Sequence, residues 1–401
     1  MIIEPIDGGV TAPQGFRSAG VACGIKREGL DLALIVADRP ASAAALFTTS
    51  RAVAAPVIVS REHLERSSGT ACAVVANSGC ANACTGQAGL AAAREMAGEA
   101  AGALGCAAEQ VIVASTGVIG VSLDIGKVKT GIGRAAACLS RDHHLDTARA
   151  IMTTDPWPKE SAVSVRTAAG SFSIGGIAKG AGMIEPAMAT MLAFLTTDAQ
   201  VAPSVLRRAL VEAAQVSFNA ITVDGDMSTN DTFAILAGSA SGVNIDETTY
   251  PAFADGLKRV CQDLALKIVR GGEGATKLVS VRVTGASSTG DARQAARTIA
   301  NSLLVKTALH GGDPNWGRLV AAAGRAGVPF DIGRALVKIG PTVLFRNGQP
   351  FDEAAPLAAE YLRGRDIEIA VDLGAGGEQE ATVWTCDLSA DYVRINAEYR
   401  T

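Results

Sequence analysis

With 401 residues, 48% apolar but only 4% aromatic, the chain can build a large α/β core from Ala, Val, Ile and Leu, helped by 44 glycines. Its 36 basic and 40 acidic residues are interspersed and leave a net charge of −4 at pH 7. No single-sign field is available to recruit nucleic acid or an anionic membrane, so a small-molecule substrate is the expected partner.

The opening Met1-Ile2-Ile3-Glu4-Pro5-Ile6-Asp7 is acidic where a signal peptide needs a basic end, and no apolar run reaches membrane-spanning length. A cytoplasmic protein is expected. Residues 72–76 form an apolar run stopping at Asn77-Ser78-Gly79, which predicts a buried strand ending in a functional turn. From Leu90, the positions Ala93, Met96, Ala97, Ala100 and Leu104 recur at helical spacing, and Val111–Ala114 reads as the next strand. This alternation predicts α/β architecture. Residues 191–195 read as a strand starting just after Thr190, and 203–216 as a helix opened by Pro203 with Val205, Leu206, Leu210 and Ala213 on one face. Further strands are expected at 277–284, 335–345, 367–373 and 381–385, with a helix near 291–306 whose Ile299, Leu303 and Leu304 face the core. Without repeats or a long linker, a single continuous body is expected.

The segment Lys179-Gly180-Ala181-Gly182-Met183-Ile184-Glu185-Pro186-Ala187-Met188-Ala189-Thr190 places a small residue before a threonine in a glycine-bearing turn. A threonine hydroxyl is a weak nucleophile, but a free α-amine on the same residue would be a base of near-neutral pKa within reach. Only scission of the Ala189–Thr190 bond creates that amine. A buried strand preceded by a glycine-rich turn explains the same residues equally well. Ala114-Ser115-Thr116-Gly117-Val118-Ile119-Gly120 is a small-residue loop after a predicted strand. Its Gly117 N–H and the hydroxyl or N–H of Thr116 could donate to a developing oxyanion, or the loop could be an ordinary turn. Met152-Thr153-Thr154-Asp155 and Arg270–Lys277 are polar clusters. Glu273 could take a substrate ammonium and Lys179 a carboxylate, while solvated turns explain each cluster as well.

At these residues the sequence resembles the ornithine acetyltransferase family, bifunctional glutamate N-acetyltransferases of arginine biosynthesis. The resemblance spans nearly the whole chain. It includes Thr11–Phe16, Asn77–Gly79, Ala81–Gly86, Ser115–Gly120, Thr153–Asp155, Val223–Asp231, Glu273–Lys277, Asp313–Arg318 and Asn396–Thr401. It implies a layered αββα-type sandwich related to self-processing N-terminal-nucleophile enzymes. It also implies self-cleavage into an α chain 1–189 and a β chain 190–401, intertwined and assembled as α2β2. Thr190 would take the acetyl group of N-acetylornithine and pass it to glutamate by a ping-pong route with no metal and no resident cofactor. Carried over by position, Thr116 and Gly117 would form the oxyanion hole, and Thr153, Lys179, Thr190, Glu273, Asn396 and Thr401 would contact substrate. Whether acetyl-coenzyme A serves as a second donor stays open at this point.

Some positions depart from the family pattern: Cys80, Ala187, Ala220, Gly271 and His310 bear on specificity and on the rate of scission. The eight cysteines are irregularly spaced and the four histidines (His63, His143, His144, His310) give no paired Cys/His spacing, so neither a disulfide scaffold nor a metal site is expected. His143-His144 reads as an exposed helix boundary, Trp316 as an anchor at a helix start, and Gly131-Ile132-Gly133 is too short for a dinucleotide fingerprint. Two other readings compete with acetyl transfer: an amidase or peptidase that lets water resolve the same acyl-threonine, and a paralogue that uses another acetyl acceptor or lacks catalysis.

Overall fold

Strict alternation along one long strand organises the first part of the molecule. In Leu32–Phe47, the residues Ala33, Ile35, Ala37, Ala41, Ala43, Ala45 and Phe47 enter one apolar core while Leu32, Leu34 and Val36 enter another. A sheet with both faces buried follows from that pattern. The computed structural model describes residues 1–185 and 191–398; Ala187, Ala189, Thr190 and Thr401 lie outside the described residues.

Two compact units are present, one of Met1–Asn219 with Asp226–Ile268, the other of Ala220–Gly225 with the described residues from Val269. The apolar residues form separate cores. Two draw on residues between Val10 and Leu236, and a third draws only on residues between Val279 and Val383.

Among the described residues the first unit holds a nine-stranded sheet. Its strands are β1 (Ile2–Pro5), β2 (Phe16–Val21), β3 (Leu32–Phe47), β4 (Thr70–Asn77), β5 (Val111–Ser115), β6 (Lys159–Thr167), β7 (Gly170–Lys179), β8 (Leu192–Thr197) and β9 (Thr232–Ala237). The order is β1-β6-β7-β8-β9-β3-β4-β5, with β2 beside β3. The pairs β4/β5 and β8/β9 are parallel, so the polar ends of β4 and β5 emerge side by side, Asn77 against Ser115. Helices α1 (Ala55–Arg66), α2 (Gly86–Leu104) and α3 (Ile125–Ala137) cover one face through Val59, Met96, Ala100, Val128 and Ile132. The crossover helix α2 carries the predicted 3.6-residue face and ends at Gly105, whose φ of 71° is the left-handed cap. α4 (His144–Ala150) lies against the opposite core. α5 (Pro203–Gln215) starts at its proline as expected and buries Leu206, Leu210 and Ala213, although Val205 is only half-buried. α6 (Tyr250–Arg270) carries the chain from the first unit, which stops at Ile268, to the start of the second.

The second unit holds β10 (Leu278–Ala286), β11 (Leu336–Ile339), β12 (Thr342–Arg346), β13 (Gln349–Pro350), β14 (Asp366–Asp372) and β15 (Gln379–Cys386), in the order β13-β12-β11-β14-β10-β15. Its helices are α7 (Thr289–Ala300), α8 (Leu303–Gly311), α9 (Trp316–Gly324), α10 (Ala355–Tyr361) and α11 (Ala390–Glu398). Each unit therefore layers helices on a sheet, the α/β class that the alternation predicts.

Two expectations need correction. The strand at 335–345 is a hairpin of β11 and β12, because Gly340 turns the chain at φ 55° and leaves no room for a Cβ, which would lie 2.7 Å from the Tyr361 ring. The helix at 291–306 is two helices. Ser302 caps the second by accepting from the Val305 amide, which rotates Leu303 and Leu304 into solvent at 65% and 62% exposure. Ile299 and Val305 supply the core contacts instead. Trp316 stacks on Phe345 at 5.1 Å, an anchor at a helix start as read. His144 begins α4, but it is half-buried and its Nδ1 lies 2.8 Å from Glu160 Oε2. Among the described residues, no helix is long and apolar enough to cross a membrane.

Candidate active site

The loop after β5 owes its shape to contacts that sequence does not display. Ser115 Oγ donates to Asn77 Oδ1 at 2.6 Å, Asn77 Nδ2 donates to the Cys80 carbonyl at 2.9 Å, and Asn230 Nδ2 donates to the carbonyls of Ser115 and Ala81 at 2.9 and 2.6 Å. These buried amides fix two loops against each other. Gly117 takes φ +127°, and a Cβ there would lie 2.4 Å from the Gly79 carbonyl carbon, so only glycine fits. The Thr116 amide donates to the Asn77 carbonyl at 3.0 Å and is unavailable as an oxyanion donor. Its hydroxyl accepts from Lys179 Nζ at 3.3 Å, which leaves the hydroxyl proton free to point elsewhere. Of the donors considered from sequence, the Thr116 hydroxyl and the Gly117 N–H are the ones left.

Lys179 ends β7, where its side chain is buried beside a second polar group. Asp155 Oδ1 accepts from Lys159 Nζ at 2.5 Å and from the Gly180 amide at 2.7 Å, and its Oδ2 accepts from the Thr153 amide at 3.0 Å. Both side chains of the Asp155–Lys159 pair are fully closed off from solvent. Burial alone would raise the Asp155 carboxyl, but the charges of Lys179 and Lys159, with the Lys159 and Gly180 hydrogen bonds, hold it at about 2. The cluster at 152–155 is thus no solvated turn. Asp155 clamps the backbone of Thr153 and Gly180 to one point, and Thr153 sits half-buried beside it.

A second buried carboxyl stands just before β9. Leu192 pairs with Thr232, and the Thr232 amide donates to the Met191 carbonyl at 3.1 Å, so Asp231 neighbours the first described residue after Thr190. Burial pushes the Asp231 carboxyl well above the ordinary range, and the Ser228 and Thr48 hydroxyls, the Met191 amide and Lys179 act against this without reversing it.

In the second unit, Glu273 is also buried rather than solvated, and its Oε2 accepts from Asn396 Nδ2 on α11 at 2.7 Å. Gly274, at φ +67°, lets this turn meet α11: a Cβ there would lie 2.5 Å from the Tyr392 amide. Asp387 ties down the following residues, accepting from the Thr276 amide at 2.8 Å, the Thr276 hydroxyl at 2.6 Å and the Lys277 amide at 2.9 Å. His310 Nδ1 lies 2.7 Å from Asp387 Oδ2, which gives this departure from the family pattern a structural partner. Burial would raise Asp387, but the Thr276, His310 and Lys277 hydrogen bonds bring it below the usual carboxylate range. Among the other departures, Cys80 is buried with Sγ 3.3 Å from the Val121 carbonyl, and Ala220 and Gly271 are buried.

The first unit therefore brings Thr116, Gly117, Thr153 and Lys179 together around Asp155, and the second pairs Glu273 with Asn396. Ala189, Thr190 and Thr401 fall outside the described residues. Sequence reasoning missed the anchoring role of Asp155 and the part played by Lys159, and it noted Asp231 only as the end of the Val223–Asp231 block, with no role. The four-residue spacing of Asp155 and Lys159 signals a pair on a helix, but this one spans a turn into a strand. Among the described residues no group of three His, Cys, Asp or Glu could hold a metal ion. A cavity of 670 Å³ along β3, lined by Phe47, Arg61, Pro203 and Arg207 among others, includes none of these site residues.

Comparison with known proteins adds to this geometry. The chain is 50% identical to the arginine biosynthesis bifunctional protein ArgJ of Symbiobacterium thermophilum over 407 aligned positions, covering 100% of both chains. It is 49% identical to the protein of the same name from Gloeobacter violaceus, covering 99% of each. A crystal structure of arginine biosynthesis bifunctional protein argJ from Bacillus halodurans is similar at a TM-score of 0.51 and 40% identity, covering 52% of this chain and 100% of that one. The ArgJ family profile matches residues 17–401, and the chain belongs to the ArgJ family.

Proposed function

We propose that the protein is an acetyltransferase of arginine biosynthesis that moves the acetyl group of N-acetylornithine to glutamate through an acetyl-Thr190 intermediate. The observation that carries this reading is the convergence of the Thr116 hydroxyl, the obligatory glycine at 117 and Lys179 on one point, in a chain of this family. Scission of Ala189–Thr190 frees the Thr190 α-amine. That amine takes the hydroxyl proton as Thr190 Oγ1 attacks the acetyl carbonyl, and the oxyanion receives the Thr116 hydroxyl and the Gly117 N–H, a contribution of about 3–4 kcal/mol per donor. The C–N bond breaks and ornithine leaves with the proton. Glutamate's amine then attacks the ester, its proton returns to Thr190, and N-acetylglutamate departs. In this reading Thr153 and Lys179 bind substrate, Glu273, held by Asn396, takes an ammonium, and Thr401 contributes at the C-terminus.

The ladder between β7 and β8 supports lasting association after scission, since it pairs Ile174–Lys179 with Leu192–Thr197 across the break. An α2β2 assembly, a cytoplasmic location and the absence of a resident cofactor belong to the same reading, and acetyl-coenzyme A is an alternative donor within it. The decisive experiment offers N-acetylornithine and acetyl-coenzyme A separately with glutamate, alongside mass spectrometry of the purified chain. Expected are fragments 1–189 and 190–401, transient acetylation of Thr190, and N-acetylglutamate as product. Thr190→Ala is expected to stay intact and inactive. Free acetate as the sole product favours the hydrolase, and an intact chain that transfers acetyl overturns the scission step.

A further inference from the structure

Among the described residues, two partly desolvated lysines of the first unit donate to neutral acceptors and make no direct ion pair with a carboxylate. Lys179 Nζ donates to the Thr116 hydroxyl at 3.3 Å and Lys26 Nζ to the Met152 carbonyl at 3.1 Å, both neutral acceptors. Three carboxyls act on these lysines at a distance: Asp31 and Asp155 are occupied by other donors, and burial pushes Asp231 up. Asp31, fully buried, accepts from the amides of Cys23 at 2.6 Å, Gly24 at 3.0 Å and Lys26 at 2.9 Å, and Asp155 is filled by Lys159, Gly180 and Thr153. Lys26 is half-buried, and burial, reinforced by repulsion from Lys179, lowers its ammonium against the pull of Asp31 and Asp155. Two ammonium groups that repel one another in a partly dry place, beside a loop of hydroxyls, need an anion.

The position of Lys26 is fixed on two sides. Its head is tied to the carbonyl that precedes Thr153. Its stem rests on Gly79, where a Cβ would lie 2.8 Å from Lys26 Cγ, and Gly79 is the same residue against which Gly117 packs. The lysine thus spans from the Thr153 turn to the back of the Thr116-Gly117 loop.

We infer that Lys26 is a second cation of the substrate site, holding together with Lys179 the carboxylate that N-acetylornithine and glutamate have in common. The inference rests on the acetyl-transfer reading for its substrates. A carboxylate between two ammonium groups would replace the Met152 carbonyl as acceptor, relieve the repulsion, and fix the amino acid relative to the oxyanion donors.

The test is steady-state kinetics on the full-length protein. Losing a charge-assisted contact is expected to raise KM for both substrates about 10- to 100-fold in Lys26→Ala, with kcat changed less than about threefold. Lys26→Arg keeps the charge and is expected to recover most of the loss. With a donor whose carboxylate is replaced by a carboxamide, parent and Lys26→Ala are expected to converge, which a merely structural lysine would not produce. Unchanged KM values, or an equal gap with the carboxamide donor, overturn the inference. Calorimetric titration of glutamate reads the same contact without turnover: about tenfold or more weaker binding by Lys26→Ala supports it and equal binding overturns it. A parent that binds glutamate but transfers no acetyl group refutes the acetyl-transfer reading, not this contact.

Discussion

Two turns of the first unit each bury an aspartate, and the two carboxyls are treated in opposite ways. Asp155, ahead of β6, sits among Lys159, Lys179 and two backbone amides and is held at about 2. Asp231, ahead of β9, is equally closed off, but its Oδ2 finds no hydrogen-bond partner among the described residues and its carboxyl is pushed up. Burial is common to both, so burial does not set the charge. What differs is the positive charge that folding places around each: Lys159 and Lys179 both act on Asp155, and Lys159 also donates to it, whereas Lys179 alone acts on Asp231. The first arrangement builds a rigid charged anchor for Thr153 and Gly180, while the second leaves a carboxyl of raised pKa next to the start of β8.

The largest expected effect comes from breaking the anchor. Asp155→Asn leaves Lys159 charged without its partner, and chemical unfolding is expected to show a loss of about 3–5 kcal/mol. A folded pKa below the unfolded value stabilises fully above the ordinary carboxylate range of about 4. That contribution is lost as pH falls through about 2. The gap between parent and variant should therefore close on acidification, and a gap independent of pH would show that lost packing, not lost charge, is responsible.

Asp231→Asn should act with the opposite sign. A carboxyl whose folded pKa is raised carries no penalty while both states are protonated, below about pH 4. The penalty grows as pH rises from there towards the folded value. Unfolding measured against pH is expected to find the variant equal to the parent in acid and more stable near neutrality. A variant less stable than the parent near neutrality would mean that Asp231 is ionised and paired, and the contrast between the two turns would disappear.

The smallest effect is the control. Asp263 and Lys267 make the same kind of pair as Asp155 and Lys159, also four residues apart and 2.7 Å long, but on the exposed side of α6 at 44% and 38% side-chain exposure. Asp263→Asn is expected to change stability by about 0.5 kcal/mol or less, because water screens both charges. A loss comparable to Asp155→Asn would undo the claim that desolvation separates the two pairs.

Much of this molecule follows from local pattern. Alternation in β3, the 3.6-residue face of α2, Pro203 at a helix start and the polar stops after β4 and β5 are each set within a few residues, since periodicity and turn chemistry act over that range. Thr116, Gly117, Lys179 and Glu273 were singled out from local pattern too, and the resemblance added Thr153 and Asn396 as residues to examine. The hairpin at Gly340 and the cap at Ser302 were local signals too, but a single strand and a single helix fit the apolar residues as well, and packing against Tyr361 and the second core decided between them. Tertiary structure alone decided that the Thr116 amide is consumed by Asn77, that Lys159 rather than solvent meets Asp155, that Glu273 is buried against Asn396, and that Lys26 reaches Met152 across 126 residues. The physical reason is that a side chain's charge and hydrogen bonds depend on what shares its volume, and neighbours in volume are brought together by strand order, which no local window of sequence records.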